Sequence, residues 1–358
     1  KLGSSFDLRT RTTTTTTLVV LVVVRVVRVV VLVVLVVVLV VLVVVFGGGG
    51  SGKPPLLLPS HVKLSYVEGC SLNRTLEGGE QAARQAAAAA DVVVLVVGLE
   101  AWPGGPFANL SKSELEGSDP TEGEAHDRVD LRLTDAQRAL VSTVLAANKN
   151  TVLVLMSGSA ISEPQFMTGP GAAPAVIQAF YGGEEHGNAL ASHLLGHTAF
   201  SGRLPVTIVS SEAHLPSYLD QQMSLAPGRT HRYLTVDPLY PFGFGLASGA
   251  LLANYSSASV SPRKVSVAAP RNLTVRVKIS ALRQHNVPPR NHSLPAEQVE
   301  IIQVYAGWQA PSVEAREAGE ASAPLHQLVS FRRVQLGALS SPQTVEFEIP
   351  LQKLRLML

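Results

Sequence analysis

The sequence predicts an α/β fold: a parallel-sheet α/β sandwich domain, followed by an incomplete β-sandwich of immunoglobulin type. Three observations carry this reading. Residues 92–97 (VVVLVV, closed by Gly98) and 151–156 (TVLVLM) are short apolar runs rich in β-branched residues. Runs of that length are too short for buried helices and read as strands buried on both faces of a parallel sheet. They alternate with helical stretches at residues 79–90, 135–148 and 182–196, the order that covers a parallel sheet on both sides. From about Val260 the texture changes. TVRVKIS, EQVEIIQVYAGW, LVSFRRVQL and TVEFEI alternate or cluster apolar residues at strand length between Pro, Ser, Gly and Asn, as antiparallel sandwiches do. Five or six such strands fit before Leu358.

With 358 residues the chain can bury two cores. A net charge of +2 without a basic block gives nucleic acid nothing to bind. A lone cysteine, Cys70, excludes an internal disulfide, a Cys-based zinc site and a redox pair, and reads as a small buried residue. Five of the nine asparagines, Asn73, Asn109, Asn254, Asn272 and Asn291, open N-glycosylation sequons, which favours secretion.

Taken in order, the chain opens with Lys1 rather than Met, as a fragment or processed product would. A Thr run leads into a Val/Leu tract in which Leu18, Leu21, Arg25, Arg28, Leu32, Leu35, Leu39 and Leu42 recur at alternating spacings of three and four. Valine fills the remaining positions, so there is no polar face and no coiled coil; residues 1–46 read as low complexity, not a domain. Residues 29–46 carry no charge and would span about 27 Å as a helix, so a membrane anchor with the sequons outside is conceivable. Near-pure valine prefers strand instead, and the anchor is not favoured. Gly47 to Lys53 spell Gly-x4-Gly-Lys, yet Pro54 stands where a P-loop needs Ser or Thr to hold magnesium and start a helix. Pro54 also disfavours helical geometry at Lys53, so nucleotide binding is rejected.

A short strand at residues 61–66, a turn at Glu68-Gly69-Cys70 and an Ala-rich helix precede the central strand. The loop leaving that strand's carboxyl end, where open α/β sheets place ligands, carries Glu114, Glu116, Glu122, Glu124, His126, Asp127 and Arg128. Beyond it, residues 182–196 read as a helix with acids in its first turn and Gly196 as its stop. His193 and His197 have zinc-pair spacing, but Gly196 interrupts the helix between them, so no metal is expected. SGSA at Ser157 lacks the flanking glycines of a nucleophile elbow. Residues 240–246 (YPFGFGL) are expected on the α/β domain, leading into the sandwich, with their aromatics packed on the core.

In this order the motifs resemble glycoside hydrolase family 3, within it the β-xylosidase/α-L-arabinofuranosidase group. The resemblance rests on ADVVVLVVGLE (90–100), EGEAHDRVDLRLTDAQRALV from Glu122, NKNTVLVLMSG, FYGGEEHGNALASHLLGHTAFSGRLPVT (180–207), and PGRTHRY with PLYPFGFGL (227–246). IIQVYAGW and LVSFRRVQL resemble the fibronectin type III-like domain that follows in the family. The implied division is residues 1–46 without a domain, 47–255 the family's carboxyl-terminal α/β domain, and 256–358 a truncated fibronectin type III-like sandwich.

The resemblance implies retaining hydrolysis of terminal β-linked sugars, most readily xylose or arabinose in xylan breakdown, on plant-type polysaccharide or oligosaccharide and without a cofactor. Such chemistry needs two carboxyl groups about 5 Å apart. The nucleophile belongs to an amino-terminal (β/α)8 barrel that nothing in residues 1–46 could supply, so the chain alone is expected to be inactive. The first strand of the α/β domain is absent unless residues 39–46 stand in for it, and residues 103–120 are an insert. The acid/base falls in the loop. The pattern S-G-E-x-x-D/S-R points to Glu124, three residues before Asp127, with Glu122 as runner-up from E-x-E. Asp127, Arg128 and His126 would support the loop, Asp127 and Arg128 as a bracing pair. The competing readings are a catalytically inactive carbohydrate-binding or surface module, and a β-glucosidase.

Overall fold

The computed structural model describes residues 65–100, 122, 128–247, 251–262, 271–283, 298–307, 324–336 and 341–353. The described chain forms two compact units, one from residues up to Leu195 with Ser210–Glu212, the other from Gly196–Val209 and Ala213 onward. The amino-terminal tract, the glycine loop, and most of the sequence-predicted strand at 61–66 lie outside the described residues. Ser65 and Tyr66, its end, are not in a strand.

In the first unit, helix α1 (Gly79–Ala88) precedes strand β1 (Val93–Gly98), and helix α2 (Asp135–Ala147) precedes β2 (Thr151–Met156). A short helix α3 (Pro164–Met167), strand β3 (Ala175–Gln178) and helix α4 (His186–Leu194) complete it. The three strands are parallel in the order β1-β2-β3, with Val93 opposite Thr151 and Val152 opposite Ala175. Alternation splits each strand between two layers. Val94, Val152, Val154 and Ala175 pack with Leu190 and Leu194 of α4. Val93, Leu95 and Val97 turn the other way, where α2 meets β1 and buries Leu140, Val141 and Val144. Each such apolar side chain contributes about 1.5–3 kcal/mol on full burial, so the sheet is a rigid base for the loops leaving its strands.

Two local devices set those strand ends. Only glycine fits at position 98, because a Cβ there would meet the Met156 carbonyl oxygen at 1.8 Å. Buried Gln137 of α2 caps the last residue of the strand: its Oε1 accepts the Gly98 N–H (2.7 Å) and its Nε2 donates to Gly98 O and Leu72 O (both 2.8 Å). Helix α4 begins at His186, later than expected. Gly183 sits at φ 70° just before it, so Glu184 and Glu185 precede the first turn rather than lying in it. Gly196, at φ 77°, follows its end.

The second unit has antiparallel sheets β4-β5-β8 and β6-β7, from β4 (Leu251–Ser261), β5 (Leu273–Arg283), β6 (Gln298–Gly307), β7 (His326–Leu336) and β8 (Gln343–Ile349). One core joins the two sheets, including Val275, Val277 and Ile279 of β5, Ile302 and Val304 of β6, and Phe347 of β8. The chain from Gly196 to Ala247 belongs to this unit. Its two signature segments pair with each other: Leu204 N–H donates to Phe244 O (2.7 Å), and Ile208 and Tyr240 exchange backbone bonds. Residues 240–246 belong to this unit. Phe242 meets Tyr305 of β6 edge-on, and Gly243, at φ 80°, leaves no room for a Cβ beside the Tyr305 hydroxyl. Neither Phe242 nor Phe244 is exposed. His231, in the short helix α5 (Thr230–Tyr233), stacks on Phe242 with ring centres 4.0 Å apart and lies 5.7 Å from the His326 ring. Buried Glu300 accepts hydrogen bonds from Arg203 (3.0 Å) and Tyr255 (2.8 Å), tying the SGR segment to β6.

No helix among the described residues is long and apolar enough to cross a membrane. Asn73 and Asn272 are exposed, whereas Asn254 is half-buried on β4; Asn109 and Asn291 lie outside the described residues. Cys70 is half-buried, its thiol pushed up to about 11 by burial and by the charge of Glu68.

Candidate active site at the carboxyl ends of the parallel strands

The three parallel strands release their chains on one rim: Leu99-Glu100 after β1, Ser157-Gly158-Ser159 after β2, and Phe180-Tyr181 after β3. Phe180 has φ 54°, a left-handed conformation that a bulky side chain rarely adopts, directly before Tyr181. All three strand ends converge on one residue, those of β2 and β3 on its carboxylate.

That carboxylate is Glu122, which is 6% exposed. Its Oε1 accepts the Gly158 N–H at 2.5 Å and the Tyr181 hydroxyl at 2.5 Å. Its Oε2 accepts the Ser159 N–H at 3.0 Å and the Ser159 hydroxyl. The Tyr181 oxygen also lies 3.0 Å from Leu99 O, so its single proton has a second acceptor there. The Glu122 backbone N–H donates to Glu100 O at 3.3 Å, fixing the return of the loop beside its departure. Burial alone would push the carboxyl up. The donors from Ser159, Tyr181 and Gly158 outweigh it, and the net direction is down. Glu122 is thus built to stay charged. The same contact, added to burial, pushes the Tyr181 phenol well above its ordinary value.

Arg128 grips the same turn from the other side. Its Nη1 donates to Ser159 Oγ (2.9 Å) and Ala160 O (2.8 Å), and its Nη2 to Arg132 O (3.1 Å). Ser159 therefore relays between the two, accepting from Arg128 and donating to Glu122. Desolvation lowers the Arg128 value, while the charge of Glu122 acts to raise it. Beyond Arg128, Glu212 Oε1 accepts the Leu131 N–H (2.6 Å), and buried Glu163 accepts the Leu133 N–H (2.9 Å).

Of the residues singled out in the sequence, the structure brings Glu122 and Arg128 together through Ser159. Glu124, His126 and Asp127, like Glu114 and Glu116, lie outside the described residues. Sequence reasoning missed Tyr181, Ser159 and the pair Gln178–Ser157, whose side chains bond at 3.0 Å. The available signal was position: each stands just past the carboxyl end of a parallel strand, or on its last residue. No group of three or more His, Cys, Asp or Glu side chains among the described residues could hold a metal ion. His193 keeps its Nδ1 2.7 Å from Ala189 O in its own helix.

Comparison with known proteins follows this geometry. A family model described as the glycosyl hydrolase family 3 C-terminal domain matches residues 13–248. A β-xylosidase of Formosa agariphila is 28% identical over 245 residues, covering 65% of this chain and 30% of the relative. A probable β-glucosidase J of Aspergillus fumigatus is 30% identical over 283 residues, covering 76% of this chain and 28% of the relative. The crystal structure of a β-D-glucoside glucohydrolase from Trichoderma reesei superposes with a TM-score of 0.56 at 25% identity, covering 82% of this chain and 38% of that one. The chain thus spans less than a third of the length of these two relatives and 38% of the solved structure.

Proposed function

Since the chain belongs to glycosyl hydrolase family 3 through that family's C-terminal domain, we propose that it supplies the general acid/base of a retaining β-glycosidase. In such a reaction one carboxylate attacks the anomeric carbon and a second carboxyl, about 5 Å away, protonates the leaving oxygen. The nucleophile comes from a (β/α)8 barrel outside this sequence. Glu124 is the acid/base. Glu122 is the brace that places it.

One observation carries this assignment: Glu122 spends both oxygens on four donors and is held ionised. A group in that state has no proton to give, whereas a general acid needs its value raised toward the working pH. Glu124 stands two residues on, and two residues of chain reach at most about 7 Å. In sequence it stands between the anchored Glu122 and the anchored Arg128.

The substrate is a terminal β-xylosyl or arabinosyl unit of plant-type polysaccharide. Relatives bearing β-xylosidase and β-glucosidase names occur at similar identity, which supports β-glucoside hydrolysis as the second reading. The antiparallel sandwich has the role of the family's fibronectin type III-like domain, and the exposed sequon residues Asn73 and Asn272 suit a secreted protein.

The test uses the enzyme with its barrel. Glu124→Ala should slow substrates with poor leaving groups by about 10²–10⁴, spare activated aryl glycosides, and regain turnover with azide as a glycosyl azide. Unchanged hydrolysis of a disaccharide by Glu124→Ala would overturn the assignment.

A further inference from the structure

The stretch from Gly228 to Thr235, in the sandwich-containing unit, is strained and is held down partly by a histidine. Thr230 has φ 59°, a left-handed conformation that a β-branched residue keeps only where its surroundings enforce it. Two residues earlier Gly228 sits at φ 85°, and a Cβ there would meet Tyr233 O at 2.0 Å. His231 of α5 stacks on Phe242 with ring centres 4.0 Å apart. Its Nε2 is buried and meets no hydrogen-bond partner among the described residues. A backbone bond from Leu325 N–H to Arg232 O (2.6 Å) joins the stretch to the chain entering β7.

This arrangement accepts a neutral imidazole and opposes a charged one. The charged ring carries a proton on both nitrogens, so in place it would bury an N–H at Nε2 without an acceptor. The groups facing it add to that cost. Arg232 lies in its own helix, and the His326 ring of β7 is 5.7 Å away; the charges of both act against a positive ring, and no carboxylate offsets them. Tyr305 of β6 stands edge-on to His326 at 5.8 Å. It stays neutral, with its hydroxyl donated to Gln303 (3.0 Å) and its value pushed up to about 12 by burial. The 240–246 segment presents Phe242, which cannot charge. Burial first, then His326 and Arg232, push His231 down from 6.5 to about 4. A ring that leaves Phe242 for water regains the ordinary imidazole value.

We propose that the stretch from Gly228 to Thr235 is an acid-released latch: it lies against Phe242 and β7 while His231 is neutral, and it lets go, relaxing the turn at Thr230, when His231 takes up a proton. Release also frees the loop ahead of it. Arg229 holds that loop, its Nη2 donating to Ser217 O (2.8 Å) and Asp220 O (2.5 Å) and its N–H to Met223 O (2.9 Å). Linkage sets the sign. The proton favours the released state, so closure is strongest above 6.5 and weakens as pH falls toward 4, below which both states carry the proton. Across that window the released population should rise about ten- to a hundredfold, less than the full separation of the two values because the ring is partly solvated. The device is independent of the substrate and of the acid/base assignment.

The experiment is amide hydrogen exchange on the 358-residue chain between about pH 7 and about pH 4, with rates corrected for the intrinsic effect of pH. The amides of Gly228, Arg229, Leu234 and Thr235, all hydrogen-bonded in the latch or to its loop, should lose about tenfold or more of their protection as pH falls. At every pH they should exchange faster than the amides of β8. His231→Phe keeps a ring on Phe242 that cannot charge, and its latch protection should stay constant across the range. Equal losses in wild type and His231→Phe, or constant protection in wild type, would overturn the proposal. Exchange of the latch and β8 at one common rate would overturn it too, because the whole unit would then be unfolding. Should His231→Phe not fold, the wild-type His231 imidazole followed by NMR decides. A ring that titrates in step with the loss of latch protection supports the latch, and one that titrates near its ordinary value while protection persists overturns it.

Discussion

Replacing Glu122 by glutamine tests whether this carboxylate holds the strand ends together. The change keeps the shape and removes one acceptor oxygen. Four donors converge on the native group, from Gly158 N–H, Ser159 N–H, the Ser159 hydroxyl and the Tyr181 hydroxyl. Tyr181 can turn to Leu99 O, but the two backbone N–H groups cannot turn. Whichever way the amide faces, its NH₂ opposes one of them and leaves a buried N–H without an acceptor. That costs about 1–3 kcal/mol, and loss of the charge weakens the remaining bonds. The total is about 2–4 kcal/mol, a melting temperature lower by on the order of 10 °C for a unit of this size.

The assay is thermal unfolding of wild type and Glu122→Gln between pH 7 and pH 3. The sign with pH follows from the lowered folded-state value. The carboxylate's contribution is fully present above its ordinary value of 4.5 and is lost as pH falls through the lower value in the fold. The gap between the two proteins should therefore narrow in acid. A melting point within about 2 °C of wild type at pH 7, or a gap that stays constant into acid, would refute the reasoning.

Other expectations follow from the same geometry. Gly158→Ala places a Cβ 2.9 Å from the Tyr181 ring and 3.1 Å from Glu122 Oε1, and should cost about 1–3 kcal/mol by denaturant midpoint. Burial, with help from His326 and Arg232, pushes His231 down from 6.5 to about 4. The unfolded chain then binds more protons between those values, so stability of the sandwich-containing unit should fall as pH drops from about 6.5 to 4. His231→Gln should flatten that slope, which a denaturant titration at each pH would reveal. On the proposed reading the nucleophile belongs to a barrel domain, so the 358-residue chain by itself should not hydrolyse aryl xylosides or glucosides above a buffer blank.

The fold was legible wherever burial is uniform. β1 and β2 are unbroken apolar runs because both faces are covered, and helix α2 shows its buried stripe in Leu140, Val141, Val144 and Leu145. β8 alternates cleanly, with Val345, Phe347 and Ile349 inward. β4 was not legible: its ladder with β5 slips between Tyr255 and Ser257, and Ser and Ala occupy much of its length, so no period of two survives. The site was legible only as a cluster of acids on a strand-end loop. The contacts that distinguish those acids bridge 36 to 59 residues, from Glu122 to Gly158 and Tyr181. No local pattern announces them. The packing of residues 240–246 was hidden for a similar reason, since Gly243 is required by Tyr305 and Gln303, some sixty residues later.

The central claim is a division of labour between two glutamates two residues apart, and it is tested most directly by measuring melting temperature and leaving-group dependence on Glu122→Gln and Glu124→Gln side by side, in the enzyme with its barrel. Glu124→Gln should melt as wild type does and lose about 10²–10⁴ in turnover on substrates with poor leaving groups. Glu122→Gln should melt lower and, at a temperature where it is folded, keep the wild-type dependence on leaving group. A stable Glu122→Gln protein that loses poor leaving groups selectively, beside an active Glu124→Gln, would contradict the claim and move the acid/base to Glu122.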